Sequence, residues 1–261
     1  MESSDPIEVS PKNAEAASEE SPRLRRGPGR LVFIALGLLV AVSGAFAYVA
    51  NVHREQSNQL PRITGIPASV STSLAELMAL SPVPKILAPN FTLVDQNGRT
   101  LSLNSFRGRV VVLEFMDTHC TDICPIVSQE FLDAYRQLGV VARHVVFAAV
   151  NVNKYHALVA DVAAFSREHQ LDSIPSWHFF TGPVATLGSV WQKYNILVQA
   201  PSPNADIIHS SFVFFIDPKG EERYVANPMD YHRSSGAAYL PAGQLTSWGQ
   251  GIALVARSLV H

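Results

Sequence analysis

A run of apolar residues leads directly into the loop that holds both cysteines of the chain: Val110-Val111-Val112-Leu113-Glu114-Phe115-Met116-Asp117-Thr118-His119-Cys120-Thr121-Asp122-Ile123-Cys124-Pro125. The nearly continuous apolar run from Arg109 to Met116 predicts a strand that is buried on both faces at the centre of a sheet. The loop therefore follows the carboxyl end of a central strand, where open α/β sheets place their functional sites.

The two cysteines, Cys120 and Cys124, are separated by three residues, and Pro125 follows the second. Proline is favoured at the first position of a helix, so we expect a helix to begin there, with Cys124 at or next to its N-cap. The positive end of the helix favours the thiolate form, which binds metal ions and attacks disulfides. Two sulfurs at this spacing can bind one soft metal ion or each other, and in an exported protein a structural disulfide is the plainer alternative.

A third ligand would favour a metal site over a disulfide, and His209 is the best candidate. It stands just before the apolar run Phe212 to Ile216, so it can point from the mouth of a buried strand toward a loop at the same edge of the sheet. Three weaker candidates lie in or beside the motif. His119 is an auxiliary candidate, core packing is favoured for Met116, and Asp122 either tunes the charge of the site or faces water.

These motifs resemble the Sco/SenC family of copper chaperones, which have a thioredoxin fold. The Thr-x-Cys-x-x-x-Cys-Pro motif of that family is matched by Thr118, Cys120, Cys124 and Pro125. Its His-Ser-x-x-x-x-x-Asp-Pro-x-Gly segment is matched by His209, Ser210, Asp217, Pro218 and Gly220, and its usual opening is similar to the segment from Phe91 to Gly98. The resemblance extends over about residues 86 to 227.

The resemblance implies that Cys120, Cys124 and His209 hold one copper ion, as Cu(I) or Cu(II). Thiolates select soft ions and imidazole adds affinity for Cu(II), although zinc also accepts such ligands. The implied recipient is the binuclear copper site of cytochrome c oxidase subunit II or another copper protein.

Two alternatives to a copper chaperone remain open. The first is a thiol-disulfide oxidoreductase that uses Cys120 and Cys124 to keep the cysteines of the recipient reduced. The second, a general disulfide reductase or a peroxiredoxin-like enzyme, fits less well, because the motif lacks the Cys-x-x-Cys spacing and the chain has no separate peroxidatic cysteine.

The chain departs from the family pattern at two places. Ile208 stands directly before His209, where the family usually has an aspartate, and Asp206 lies further upstream. The segment from Val150 to Lys154 reads Val-Asn-Val-Asn-Lys, where the family commonly has Ser-Val-Asp-Pro. Neither change removes a ligand, but both alter the surroundings of the site.

The rest of the domain predicts an α/β, thioredoxin-like fold with an added N-terminal β-hairpin, preceded by one transmembrane helix. Asn97-Gly98 between two short apolar segments indicates the hairpin. Alternating strands and helices follow the motif, then a closing hairpin through Asp217 to Gly220, and last a helix with an apolar stripe from Leu245 to Leu259 that we expect to pack on the core. The predicted elements are strands at 91–94, 100–103, 109–116, 144–150, 177–180, 212–216 and 222–226, and helices from 125 to 138, 157 to 169 and 184 to 194.

The chain divides into four predicted regions: a disordered cytoplasmic tail at 1–30, a transmembrane anchor at 31–50, a juxtamembrane spacer at 51–85, and a thioredoxin-like copper-binding domain at 86–261. The tail is rich in Glu, Ser and Pro, and residues 31–50 carry no charge and are long enough to span a bilayer. Four arginines precede this run and only Arg54 closely follows it, which predicts a single-pass cell-membrane protein with its domain outside. A net charge of −2 gives no reason to expect nucleic acid as a partner.

Topology is testable because Ala45-Phe46-Ala47 also resembles a signal-peptidase site, which would make the N-terminal segment a cleaved signal peptide. With an uncleaved anchor, protease added to intact cells stripped of their wall digests the domain and spares the tail. A mature chain that begins at Tyr48 would contradict the anchor.

Overall fold

The computed structural model describes residues 39–51, 63–205 and 207–260. The chain divides into two compact units, Met1–His53 and Arg54–His261. In the first unit, residues 39–51 form helix α1. No helix among the described residues combines the length and apolar character that a bilayer span requires. The predicted tail at 1–30 and residues 31–38 of the predicted anchor lie outside the described residues.

The second unit contains the helices and strands of the predicted domain. Its helices are α2 (Thr72–Leu77), α3 (Ile123–Leu138), α4 (Val159–Glu168), α5 (Val184–Lys193) and α6 (Ala242–Ser258). Its strands are β1 (Ser81–Leu87), β2 (Thr92–Val94), β3 (Thr100–Ser102), β4 (Val110–Met116), β5 (Val145–Asn151), β6 (Trp177–Phe180), β7 (Val198–Gln199), β8 (Ile208–His209), β9 (Val213–Ile216), β10 (Glu221–Ala226), β11 (Tyr231–His232) and β12 (Ala238–Tyr239).

The main sheet has six strands in the order β1-β10-β9-β4-β5-β6. Strands β4, β5 and β6 run parallel, whereas β9, β10 and β1 add antiparallel neighbours on the other side of β4. Every residue of β4 and β5 is buried, as expected for parallel strands covered on both faces. The predicted position of β4 at the centre of the sheet is confirmed.

Side chains alternate along β4 and so contribute to two separate cores. Val110, Val112 and Met116 pack on the face covered by α3, α4, α6 and α2. Val111, Leu113 and Phe115 pack on the opposite face, under α5 and the β2–β3 hairpin. Because both faces of β4 are covered, the loops that connect it to the rest of the domain can reach the surface only at the two ends of the strand.

The predicted strands and helices from residue 91 onward occur in the predicted order, and the α/β arrangement is thioredoxin-like. The short strands β7, β8, β11 and β12 were not predicted. The β2–β3 hairpin turns through Gly98, which has a φ of 75°, a conformation that glycine adopts without strain. Helix α3 ends at Leu138, and Gly139 follows with a φ of 56°, as its sequence predicted. Trp248, Ile252 and Val255 of α6 are fully buried, so the apolar stripe packs on the core as expected.

The prediction of a spacer that extends to residue 85 is wrong. Strand β1 pairs with β10 at the edge of the main sheet, and α2 precedes it. Met78 is fully buried and lies so close to Gly251 of α6 that a larger residue there would clash with its sulfur. The described residues from about 70 onward are therefore part of the domain core, because their apolar side chains complete the packing around α6.

Two carboxyl groups are buried in the core, one on β4 and one on α3. Glu114 on β4 accepts a hydrogen bond from the Ser211 hydroxyl at 2.8 Å through Oε1, while Oε2 has no partner among the described residues. Neither carboxyl oxygen of Glu130 on α3 has a described partner. Burial raises the pKa of Glu114 to about 8 and also raises the pKa of Glu130, which Glu114 raises further by charge repulsion.

The raised pKa of Glu114 predicts a pH-dependent stability. Because the folded pKa lies above the ordinary value of 4.5, the contribution of this group is fully present below pH 4.5 and is lost as the pH rises to about 8. The Glu114→Gln variant should lose less stability than wild type between about pH 5 and pH 8, by on the order of a few kcal/mol at most, in urea unfolding. Glu76→Gln on the exposed surface of α2 is the control, and equal pH dependence of wild type and Glu114→Gln would contradict the prediction.

Candidate metal centre

The motif loop joins β4 to α3 and places the two sulfurs at the start of the helix. Helix α3 begins at Ile123 with Asp122 as its N-cap residue, so Cys124 is the second helical residue and Pro125 the third. The expected start at Pro125 is therefore two residues late, which costs nothing because the first turn of a helix needs no N–H from proline. The backbone N–H of Cys124 donates to Cys120 Sγ at 3.4 Å, and both thiols are free.

The two thiols differ in exposure, and their pKa values are shifted in opposite directions. The pKa of Cys120 is lowered, first by a hydrogen bond from the Cys124 thiol and then by backbone N–H groups of Cys124 and Asp122, against the effects of burial and of the Asp117 carboxylate. The pKa of Cys124 is raised by the same thiol contact and by burial, since Cys124 is only 2% exposed. Cys120 is half-buried and is therefore the more accessible sulfur. Because its pKa is lowered, it is also the sulfur with more of the nucleophilic thiolate form.

A hydrogen-bond network fixes the motif loop against the loop after β5. Asp117 Oδ1 accepts from the backbone N–H of His119 at 2.8 Å and from Asn153 Nδ2 at 2.7 Å. Asn153 Oδ1 accepts from the backbone N–H groups of Tyr155 and His156, and Asn151 Nδ2 donates to the His156 carbonyl at 2.8 Å. Asn151 and Asn153, at which the chain departs from the family pattern, thus hold the two loops of the site together by hydrogen bonds.

The same hydrogen bonds fix the backbone of His119 and His156, whose side chains lie next to each other. Their rings stack with centroids 3.6 Å apart and planes inclined by 28°. Thr118 Oγ1 lies 3.3 Å from His119 Nδ1 and donates to the His156 carbonyl at 3.3 Å. Stacked rings do not aim their nitrogen lone pairs at a common point, so this pair is a contact between loops and not a chelating pair.

His209 lies on the short strand β8, which pairs with β7 apart from the main sheet. Its Nδ1 lies 3.0 Å from the Ser210 carbonyl oxygen, and because a carbonyl only accepts, Nδ1 is the protonated nitrogen. Nε2 is then the nitrogen with a free lone pair, as a metal ligand requires. Burial lowers the pKa of His209, which favours this neutral form.

The structure brings Cys120 and Cys124 together but does not add His209 to them as a third ligand. Within the described ranges, no three or more His, Cys, Asp or Glu side chains form a group that could hold a metal ion. The charge of Asp117 raises the pKa of both Cys120 and His209, so Asp117 lies near each of them. Binding by all three ligands requires His209 to approach the sulfurs, and the three-ligand site stays a prediction.

The weaker candidates are placed as follows. Met116 is fully buried in the core, as expected, and Asp122 is exposed, with no capping hydrogen bond from its side chain. Asp206 lies outside the described residues. Two thiols and a neutral imidazole suit Cu(I), and the nitrogen also accepts Cu(II), so the residues present fit copper as a cargo.

Comparison with known proteins gives one consistent result. The family model described as SCO1/SenC matches residues 81–238. The chain is 25% identical over 133 residues to the SCO1 protein homolog of Bacillus subtilis (strain 168), covering 50% of this chain and 68% of that one. It is 30% identical over 139 residues to the mitochondrial protein SCO2 homolog of Bos taurus, covering 50% of each, so it spans half the length of that relative.

A solved structure shares the fold. It is the crystal structure of a SCO1/SenC family lipoprotein from Bacillus anthracis str. Ames, with a TM-score of 0.55 and 20% identity. The match covers 69% of this chain and 98% of the other. The thioredoxin-like arrangement of strands and helices is therefore that of a known structure.

The unequal exposure of the two sulfurs predicts an order of modification. Iodoacetamide should label Cys120 of the folded, reduced protein well before Cys124, because Cys124 is buried and its pKa is raised. Peptide mass spectrometry over a time course measures both rates. In guanidinium the two rates should become similar, and faster labelling of Cys124 in the folded protein would contradict the site geometry.

Proposed function

The chain belongs to the SCO1/SenC family, and on that premise we propose that it is a copper chaperone. Cys120, Cys124 and His209 bind one copper ion, which the protein delivers to a recipient copper protein. The recipient that the family resemblance suggests is the binuclear copper site of cytochrome c oxidase subunit II.

The observation that carries the proposal is a pair of free, neighbouring sulfurs, with Cys124 in the first turn of α3 and Cys120 in the loop just before it. The Cys124 N–H points at Cys120 Sγ, and the thiols share a hydrogen bond that lowers the pKa of Cys120. Metal binding needs deprotonated sulfur, so a site that stabilises one thiolate lowers the cost of loading. Structural zinc sites normally use four protein ligands, whereas a site with two sulfurs and one nitrogen leaves the ion open to transfer.

We further propose that residues 31–50 anchor the protein in the cell membrane, with the domain outside the cytoplasm. The support is the uncharged run of twenty residues and the arginines before it, at positions 23, 25, 26 and 30. A site for copper delivery outside the cytoplasm would then face recipients on the same side of the membrane.

A thiol-disulfide oxidoreductase is the second candidate, because one accessible sulfur with a lowered pKa beside a buried sulfur is the arrangement of a redox pair. Copper and a disulfide compete for the same two sulfurs, so oxidation should abolish copper binding. Both candidates need Cys120 and Cys124, but only the chaperone needs His209.

Copper titration of the reduced, full-length chain tests the ligand set. Wild type should bind one Cu(I) per chain against a competing chelator. Cys120→Ser and Cys124→Ser should each weaken binding by more than about 100-fold, and His209→Ala by about tenfold or more, since loss of a ligand exceeds the usual effect of its supporting groups. His232→Ala, which removes an exposed imidazole on β11, is the matched control. Undiminished affinity in His209→Ala would contradict the three-ligand site.

Copper transfer and thiol exchange, measured side by side on His209→Ala, separate the two candidates. A chaperone loses transfer to its acceptor in this variant, whereas a disulfide reductase keeps its exchange rate. Intact transfer in His209→Ala, or a wild type that reduces acceptor disulfides but transfers no copper, would replace the chaperone by the oxidoreductase.

A further inference from the structure

A cavity of about 510 Å³ opens beside Cys120, between the motif loop and helix α4. Its wall on the loop side includes Thr118, His119 and Cys120 itself. Because Cys124 is buried, Cys120 is the sulfur that a second molecule can reach, and this cavity lies next to it.

One face of α4 forms the opposite wall of the cavity. Asp161, Phe165 and Glu168 follow each other at spacings of four and three residues, which place them on the same side of a helix. Phe165 is buried in the core and fixes that side of the helix against the domain. Asp161 Oδ2 accepts from the Leu158 N–H at 2.9 Å, so its carboxylate is held at the first turn of the helix.

The charged groups that line the cavity are all acidic. Its lining includes the carboxylates of Asp161 and Glu168 but neither Lys nor Arg. Arg167 lines a different cavity together with Arg99 and Asp172, and the Lys154 ammonium lies 4.9 Å from the centroid of the Tyr155 ring. His169, at the end of α4, also lines the cavity, and burial lowers its pKa and so favours its neutral form.

No ion pair compensates Glu168 in the part of the chain that the structure describes. Its carboxylate also lies in the last turn of α4, where the helix dipole is negative and cannot offset its charge. A cation that enters the cavity is therefore attracted by the negative potential of its two carboxylates.

We propose that this acidic cavity is the docking site for the recipient, and that the recipient presents a basic side chain next to its own cysteines. This inference rests on the proposed function, because it takes Cys120 as the sulfur through which copper or electrons pass. A lysine or arginine held near Asp161 and Glu168 would keep the recipient's sulfur against Cys120. The cavity thereby selects recipients by charge at the point of exchange.

Thiol exchange with small disulfides probes this site without a known recipient. The Cys120 thiolate attacks a disulfide R–S–S–R, forms a mixed disulfide with one half and releases the other as a thiolate. Cys124 then attacks the Cys120 sulfur of the mixed disulfide, loses its proton to solvent and releases the second thiol. The protein dithiol is oxidised to the Cys120–Cys124 disulfide, and one molecule of R–S–S–R is reduced to two thiols.

The experiment compares three disulfides of similar size on the reduced, full-length chain: cationic cystamine, neutral 2-hydroxyethyl disulfide and anionic 3,3′-dithiodipropionate. Each rate is divided by the rate of the same reagent with a neutral small thiol, which removes differences in intrinsic reactivity. The corrected rates should fall in the order cationic, neutral, anionic, and they should converge at about 1 M salt because salt screens exposed charges.

Substitution of Glu168 tests whether the cavity causes this preference. Glu168→Gln should reduce the ratio of cationic to anionic rates, and Glu168→Lys should reduce it by about three- to tenfold, as expected for a change of two charges at this range in water. Glu76→Lys makes the same change on the exposed surface of α2 and should leave the ratio unchanged. An unchanged ratio in Glu168→Lys, or a wild type that prefers the anionic disulfide, would overturn the proposal.

Copper titration of the same proteins separates this inference from the proposed function. Wild type and Glu168→Lys should bind copper equally, because Glu168 is not a ligand. A charge preference that depends on Glu168 in a protein that binds no copper would leave the docking site standing and overturn the chaperone. Copper binding without any charge preference would overturn the docking site alone.

Discussion

The parallel pairing of β4 with β5 is the constraint on which the site depends. Its register sets Met116 beside Asn151, so the two strands end together at one edge of the sheet. The loops that follow therefore emerge next to each other, and the hydrogen bond of 2.7 Å between Asn153 and Asp117 joins them. Burial of both strands on both faces makes this register costly to change, because a shift by one residue would exchange the two core faces.

The start of α3 and the loop before it give the two sulfurs unequal roles. Cys124 points into the core, where burial and the shared hydrogen bond hold its proton, whereas Cys120 receives N–H groups and faces the cavity beside α4. A metal ion or disulfide that arrives from outside meets Cys120 first, and Cys124 completes the reaction from within. This order follows from burial alone and holds for copper transfer and for thiol exchange.

Hydrophobic periodicity was sufficient to predict the strands of the main sheet and the helices from residue 91 onward, because their core faces are continuous. It gave no sign of the two-residue strands β7, β8, β11 and β12, which are too short to show a period. It missed β1, since Pro82 and Pro84 mark that segment as irregular and most of its side chains are exposed. Edge strands tolerate proline because only one side of the strand is paired. The sequence identified both cysteines, but the placement of α4 across a cavity from the motif loop depends on tertiary packing and left no local signal. Only one feature of the sequence pointed to the hydrogen-bond network between the two loops, namely that Asn151 and Asn153 differ from the residues usual in the family.

The segment that carries His209 is also held by β4, through a contact that an apolar core would lack. Strand β9 pairs with β4 so that Leu113 lies beside Phe214, and just before it Ser211 donates to the buried Glu114 carboxyl. One oxygen of Glu114 has no partner among the described residues, and a buried carboxyl without its full set of hydrogen bonds costs stability. Ser211 follows His209 by two residues, so this hydrogen bond ties the end of the histidine segment to β4, while Ser210 exchanges hydrogen bonds with Leu197 just before β7. The central strand therefore fixes both the origin of the cysteine loop and the chain that immediately follows the candidate third ligand.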